Sequence, residues 1–230
     1  MPLSSFVIII FIYFFSNFYF KNVKNNKDKG VLIIAPMIMN ISAVYPVIFL
    51  NFPDKYIQNV ALFDLSNGIL TLTFTYSIAI KFGSENKKIK FKKLLSPPLL
   101  ALFIGLIFNY KNINLEILSI IFTYVKYAIT FTIYFSLGSL FYFEKNFLKK
   151  ILQVNFIRFF AGILIAIIIG LVINLDKTSL KILFLCATAP CGFNTLTFAV
   201  LENLNIKLAS SIISISLINY FLIAFIILLF

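Results

Sequence analysis

Long apolar runs alternate with short polar connections along this chain, a pattern that predicts about eight helices of membrane-spanning length. The runs are Leu3–Phe20, Val31–Leu50, Ile57–Ile80, Leu94–Phe108, Ile117–Phe143, Ile151–Ile173, Leu180–Leu201 and Leu208–Phe230. Most approach the ~20 residues that carry a helix across a bilayer. The fourth is shorter and begins near Pro97 and Pro98, which suit the first turn of a helix better than its middle. A membrane β-barrel is disfavoured, because its strands alternate polar and apolar residues over only ~10 positions. Residues 3–20 are preceded by no basic segment and followed by no small-residue cleavage site, so a first transmembrane helix is expected there. No linker or low-complexity stretch divides the chain, and residues 1–230 read as one all-α, polytopic membrane domain.

Two of these runs carry the same interruption. Ala35-Pro36-Met37-Ile38-Met39-Asn40 lies in the second and Ala189-Pro190-Cys191-Gly192-Phe193-Asn194 in the seventh. Each is followed by a polar loop and a further apolar helix with an asparagine at nearly matched distance, Asn67 and Asn219. Proline breaks a helix, and asparagine is a poor guest in lipid. The matched pair therefore predicts an internal repeat with a helix break at membrane depth.

Charge gives the runs a direction. Lysines crowd the connections after the first, third and fifth runs (Lys21 to Lys29, Lys81 to Lys93, Lys145 to Lys150), while Lys55, Lys111, Lys177 and Lys181 are sparse in the alternate ones. The positive-inside rule then puts the crowded connections in the cytoplasm and both termini outside, in a cytoplasmic (inner) membrane. On that topology the second and seventh runs cross in opposite directions, the arrangement of inverted-repeat transporters with discontinuous helices. The net charge of +12 is thus spent on topology, and no nucleic-acid partner is expected. The composition is 61% hydrophobic with a mean hydropathy of +1.00, as a bilayer requires. Cys186 and Cys191 share one apolar run and histidine is absent, so neither a disulfide framework, a metal site nor a cofactor is called for.

The broken helices define the candidate chemistry. A break exposes backbone N–H and C=O groups, half-helix N-termini attract anions, and asparagine orients a carboxylate without a full charge. Ser42, Pro46, Gly192 and Thr195 add further helix-weakening residues near the breaks. The alternative is a pair of proline kinks whose asparagines bond neighbouring helices. Asp64 and Lys126 sit within spans, either as a structural ion pair or as groups that handle an anion or proton directly. Arg158 is expected to snorkel from span six to the interface, and Gly138 and Gly170 to let helices approach closely. Most of the many aromatic residues are expected at the membrane interfaces or facing lipid.

Asn40 through Tyr45-Pro46, Phe52-Pro53-Asp54 and Ala61-Leu62-Phe63-Asp64-Leu65-Ser66-Asn67 resemble the auxin efflux carrier family, whose bacterial members include malate and malonate permeases. Ala189-Pro190-Cys191-Gly192-Phe193-Asn194-Thr195, with Phe198-Ala199 and Ala209-Ser210-Ser211, resembles the second crossover of that family. The resemblance implies two inverted five-helix repeats whose broken helices cross at a carboxylate site. Carried over, the binding positions are Asn40 and Pro46 in the first crossover and Pro190 and Asn194 in the second, with Asn67 and Asn219 as supporting polar groups and Asp64 and Lys126 as charge or coupling residues. The family commonly places its first proline one residue further past the asparagine than Pro46 stands.

On this alignment residues 1–80 supply the last three helices of repeat one and residues 94–230 a complete repeat two, so two N-terminal scaffold helices are missing. The expected partners are a small carboxylate, lipid and, for assembly, a second copy of the chain as a homodimer. A truncated, non-transporting remnant and a carrier like the bile-acid sodium symporters stay open as alternatives. An intramembrane enzyme lacks its usual equipment, with no histidine and Asp64 the lone embedded acid.

Overall fold

The computed structural model of the chain describes residues 1–83, 141–229 and scattered positions between 104 and 139. Most of the expected fourth and fifth spans, and Lys126 with them, lie outside the described residues. Everything described is helical apart from short connections and one isolated bridge.

Helix α1 (Pro2–Tyr19) carries no charged residue and buries Ile8, Ile9 and Ile12 against the rest of the molecule. The second apolar run is split, as its proline predicts. Helix α2 (Asn26–Ile34) passes through a 3₁₀ turn at Ala35–Met37 into extended backbone at Ile38, and a second 3₁₀ turn at Ile41–Ala43 leads into α3 (Val44–Asn51). Pro36 has no N–H to donate and Asn40 adopts a non-helical backbone, so the α2 ladder cannot continue through them. Helix α4 (Ile57–Leu70) continues through a π turn at Thr71–Thr75 into α5 (Tyr76–Phe82), and the three pieces cover the third expected span.

Helix α6 (Leu148–Ile173) closes on Asn174 in the left-handed conformation. The seventh run is split like the second: α7 (Lys177–Ala187) ends before Pro190, and α8 (Asn194–Leu201) begins after Phe193. Helix α9 (Ile206–Leu229) completes the described chain. Among the described residues three stretches, Pro2–Tyr19, Lys145–Ile173 and Ile206–Leu229, are helical, long and apolar enough to cross a bilayer. On α6 the outward residues include Phe156, Phe160, Ile167 and Leu171, an apolar face suited to lipid.

Packing brings the two broken helices to the centre. Helix α1 lies against α4 and α6, while α6 touches both α7 and the Ala35–Met37 turn. Gly162 makes the α6–α7 contact close: a Cβ there would stand 2.1 Å from the Ala187 carbonyl oxygen. Of the two glycines expected to permit close approach, Gly170 faces Leu180 of α7 within that distance range. Among the described residues a Cβ on Gly138 would meet no atom within 4 Å, and most of the fourth and fifth spans around it lies outside the described residues. Such close approach is possible at Gly162 because α7 ends there, leaving a carbonyl where a continuing helix would have carried side chains.

One end of the bundle is pinned by polar groups. Lys150 of α6 forms a 2.6 Å ion pair with Asp28 of α2, whose other oxygen accepts from Asn205 Nδ2 at 2.7 Å. Asn205 also caps α9 by accepting the Leu208 N–H. Nearby, the Tyr76 hydroxyl donates to the buried Glu202 at 2.8 Å. The connections after the first and fifth expected spans therefore meet at the same end of the helices.

Candidate functional site: the crossing of two broken helices

The two interruptions meet. Met39 and Cys191 form an antiparallel bridge in which the Asn40 N–H donates to the Pro190 carbonyl and the Gly192 N–H to the Ile38 carbonyl, each at 2.8 Å. Backbone freed by one break thus satisfies backbone freed by the other, which is how non-helical chain survives away from water. Gly192 permits the approach, since a Cβ on it would stand 2.7 Å from Ile38 Cγ2.

Side chains complete the pairing. Asn67 of α4 accepts from the Met39 N–H at 3.3 Å and donates from Nδ2 to the Met39 carbonyl at 3.0 Å. On the other side of the bridge the Cys191 N–H donates to Ser216 Oγ of α9 at 3.0 Å, and that hydroxyl donates to the Ile213 carbonyl. Asn219 lies one helical turn beyond Ser216. It lines a separate apolar groove between α6 and α9 with Asn155, Phe156 and Phe160. The matched spacing of Asn67 and Asn219 therefore selects the right helix face only approximately, and Ser216 is the residue that reaches the second break.

A cavity of about 400 Å³ opens beside the bridge, lined by Ile38–Ser42, Asp64, Asn67, Gly68, Thr71, Leu72 and Gly192–Asn194. Asn40 is nearly buried, and its Nδ2 has no hydrogen-bond partner among the described residues. Asn194 opens α8 and is exposed to the cavity. Asp64 accepts from Asn67 Nδ2 at 3.0 Å, so one amide ties the carboxylate to the bridge. Thr71 opens the π turn on the same wall, and its buried hydroxyl has no partner there either. The structure thus brings Asn40, Asp64, Asn67 and Asn194 around one space. Pro190 contributes its carbonyl to the bridge and is buried, whereas Pro46 sits inside α3, buried and away from the cavity lining.

Arg158 corrects an expectation. It does not snorkel to the interface but is wholly buried, with Nε donating to the Ala189 carbonyl at 3.0 Å. The physical reason is local: the break at Pro190 leaves the α7 C-terminus with unpaired carbonyls, and the close packing at Gly162 sets α6 directly against them. Reading α6 alone as a lipid-facing helix conceals this, because the acceptor belongs to another helix. Ser216 and Thr71 are likewise invisible to motif reading, being ordinary residues of apolar helices. The preference of π turns for functional sites is a signal, but one that only the backbone reveals.

Comparison with family models matches residues 82–228 to the membrane transport protein family. The matched stretch holds α6 to α9 and the second break, while the first break lies before it. Comparison with curated proteins gives no match. The match spans well over half of the chain and carries the Ala189–Asn194 interruption that the first break meets across the bridge, and the chain belongs to the membrane transport protein family, that of the auxin efflux carriers.

Proposed function

We propose that this protein is a secondary transporter of small organic anions, carboxylates in particular, with the cavity beside the Met39–Cys191 bridge as its substrate site. The observation that carries this reading is the buried Asn40 amide: the residue lines the cavity, and its Nδ2 has no hydrogen-bond partner among the described residues. A buried donor left unpaired costs about 1–3 kcal/mol, which a substrate carboxylate recovers by accepting from it. Asn194 supplies a second amide, and the half-helices α3 and α8 both begin at the crossing, so their positive ends add to the attraction. Pro190 shapes the second break, and Pro46 acts at most through the course of α3.

Residues 1–80 and 94–230 act as inverted repeats on this reading, related by a pseudo-twofold axis through the bridge, and alternating access exposes the site to each face in turn. The lysine-rich end, with Asp28 and Lys150, lies in the cytoplasm, and both termini lie outside the inner membrane. Asp64 on the cavity wall and Lys126 are the charge or coupling residues of this reading, Lys126 offsetting the charge of the anion and Asp64 taking up a proton that enters with it.

The test is uptake of labelled malonate and malate into proteoliposomes by the native chain, Asn40→Ala and Asn194→Ala. Saturable uptake that either change reduces at least about tenfold is expected, the loss of one or two hydrogen bonds to a charged group. Native uptake unaffected by both changes removes the crossing as the site, and no uptake by any version favours a non-transporting relative.

A further inference from the structure

Arg158 has no place in the carboxylate reading as stated, yet its position is costly. The side chain is wholly buried, its Nε is spent on the Ala189 carbonyl, and neither Nη1 nor Nη2 has a hydrogen-bond partner among the described residues. A guanidinium keeps its proton under essentially all conditions, so burial leaves a fixed positive charge. Burying such a charge without an acidic partner is among the largest penalties in a fold, and it persists where the charge has use.

Its surroundings say where that charge acts. Ala189 is next to Pro190, whose carbonyl takes the Asn40 N–H, and three residues before Gly192, which lines the cavity. The helix that carries Arg158 also touches the Ala35–Met37 turn of the other break. The guanidinium therefore stands beside the crossing, at the negative end of α7. Helix α1, which packs on the first break, offers no counterpart, since no residue from Pro2 to Tyr19 is charged.

We propose that Arg158 is a positioning residue that holds the second break open through Ala189 and supplies the positive potential that selects anions in the crossing cavity. Its consequence for substrate choice rests on the transport reading above, but the potential itself is measurable without transport. Low-dielectric walls carry the field of a buried charge further than water does, so a cavity a few residues away feels it.

The test reads that potential with Ser42→Cys, an exposed position on the cavity wall, in the full chain with the buried native cysteines as background. Rates of modification are compared for a sulfonate-bearing and a trimethylammonium-bearing methanethiosulfonate, each forming a mixed disulfide with the thiolate and releasing a sulfinate. Arg158→Gln, which keeps an amide donor for Ala189, is expected to lower the anion-to-cation rate ratio by roughly tenfold, while Arg158→Lys holds it within about twofold. Asn155→Asp puts a carboxylate one turn before the guanidinium on α6 and shifts the ratio the same way, covering the case in which Arg158→Gln does not fold. An unchanged ratio in whichever of the two folds overturns the assignment. In parallel, malonate uptake is measured for the same proteins. A native chain that takes up no malonate while the ratio still falls leaves the charge assignment standing and the transport reading lost. Saturable uptake with a ratio that does not move gives the reverse.

Discussion

Asn67 stands in for a missing strand. Its one amide accepts from and donates to the same residue, Met39, as the backbone of a neighbouring strand would, and also holds Asp64. Asn67→Ala strands a buried N–H and a buried carbonyl together, so a loss of about 2–4 kcal/mol is expected. Thermal unfolding in detergent measures it, and a melting temperature equal to that of the native chain would contradict the pairing. Asn40 is the converse case: its backbone N–H is committed to Pro190, its side-chain donor is not. At this scale, residue type pointed to both asparagines, because an amide in an apolar run is costly wherever the chain goes. It did not separate the one that builds the crossing from the one whose side-chain donor is left unpaired among the described residues, since that depends on which backbone each side chain meets.

Among the elements, the breaks matter more than the helices. Helix α7 stops early, and everything behind it follows: the Ala187 carbonyl facing Gly162, the Ala189 carbonyl facing Arg158. Gly162→Ala drives a methyl group into that carbonyl, so α6 and α7 must part. Overpacking of this kind costs about 1–3 kcal/mol, and Gly138→Ala, where a Cβ meets no atom of the described residues within 4 Å, is the comparison that should stay near native. Equal melting temperatures for the two variants would deny the close contact. At its other end α7 begins on Asp176, whose side chain accepts from the Ser179 N–H at 3.0 Å. Hydrogen bonds from Ser179 hold the Asp176 carboxyl below its usual range. A lowered folded pKa means stability that is present above the unfolded value of about 4 and lost as pH falls through the folded one. The native chain should therefore exceed Asp176→Asn in thermal stability at neutral pH, with the gap closing as the pH falls below about 4. A gap independent of pH between 7 and 3 would remove the carboxylate as the cause.

Across the whole molecule, the crossing is where the two ends of the described chain become one object. Residues 38–40 and 190–192 are far apart in sequence, and the family match takes in only the second of these stretches. Met39 and Cys191 sit between the flanking bonds of an antiparallel pair, a geometry that brings facing residues to about 4.5 Å between Cα atoms. That spacing suits a disulfide. Met39→Cys should therefore oxidise with the native Cys191, and mass spectrometry of digested protein should recover the linked peptide in preference to a link with Cys186. Its absence under oxidising conditions would mean that the breaks do not meet. The Asp28, Lys150 and Asn205 group serves the same union at one end of the bundle, joining α2 to α6 and α9.

Apolar runs, lysine-bearing connections and two Ala-Pro interruptions are local properties, and they determined by themselves that the chain is an all-helical membrane protein with two broken helices. Proline lacks a donor and lysine avoids hydrocarbon in any context, so those readings needed no fold. What only the tertiary structure decided is who answers the freed backbone: Cys191 for Met39, Ser216 where the spacing pointed to Asn219, and Arg158 at a carbonyl where an interfacial side chain was expected. Each of those partners lies on another element. Its identity follows from which helices pack together, and helical periodicity within a single run carries no information about that.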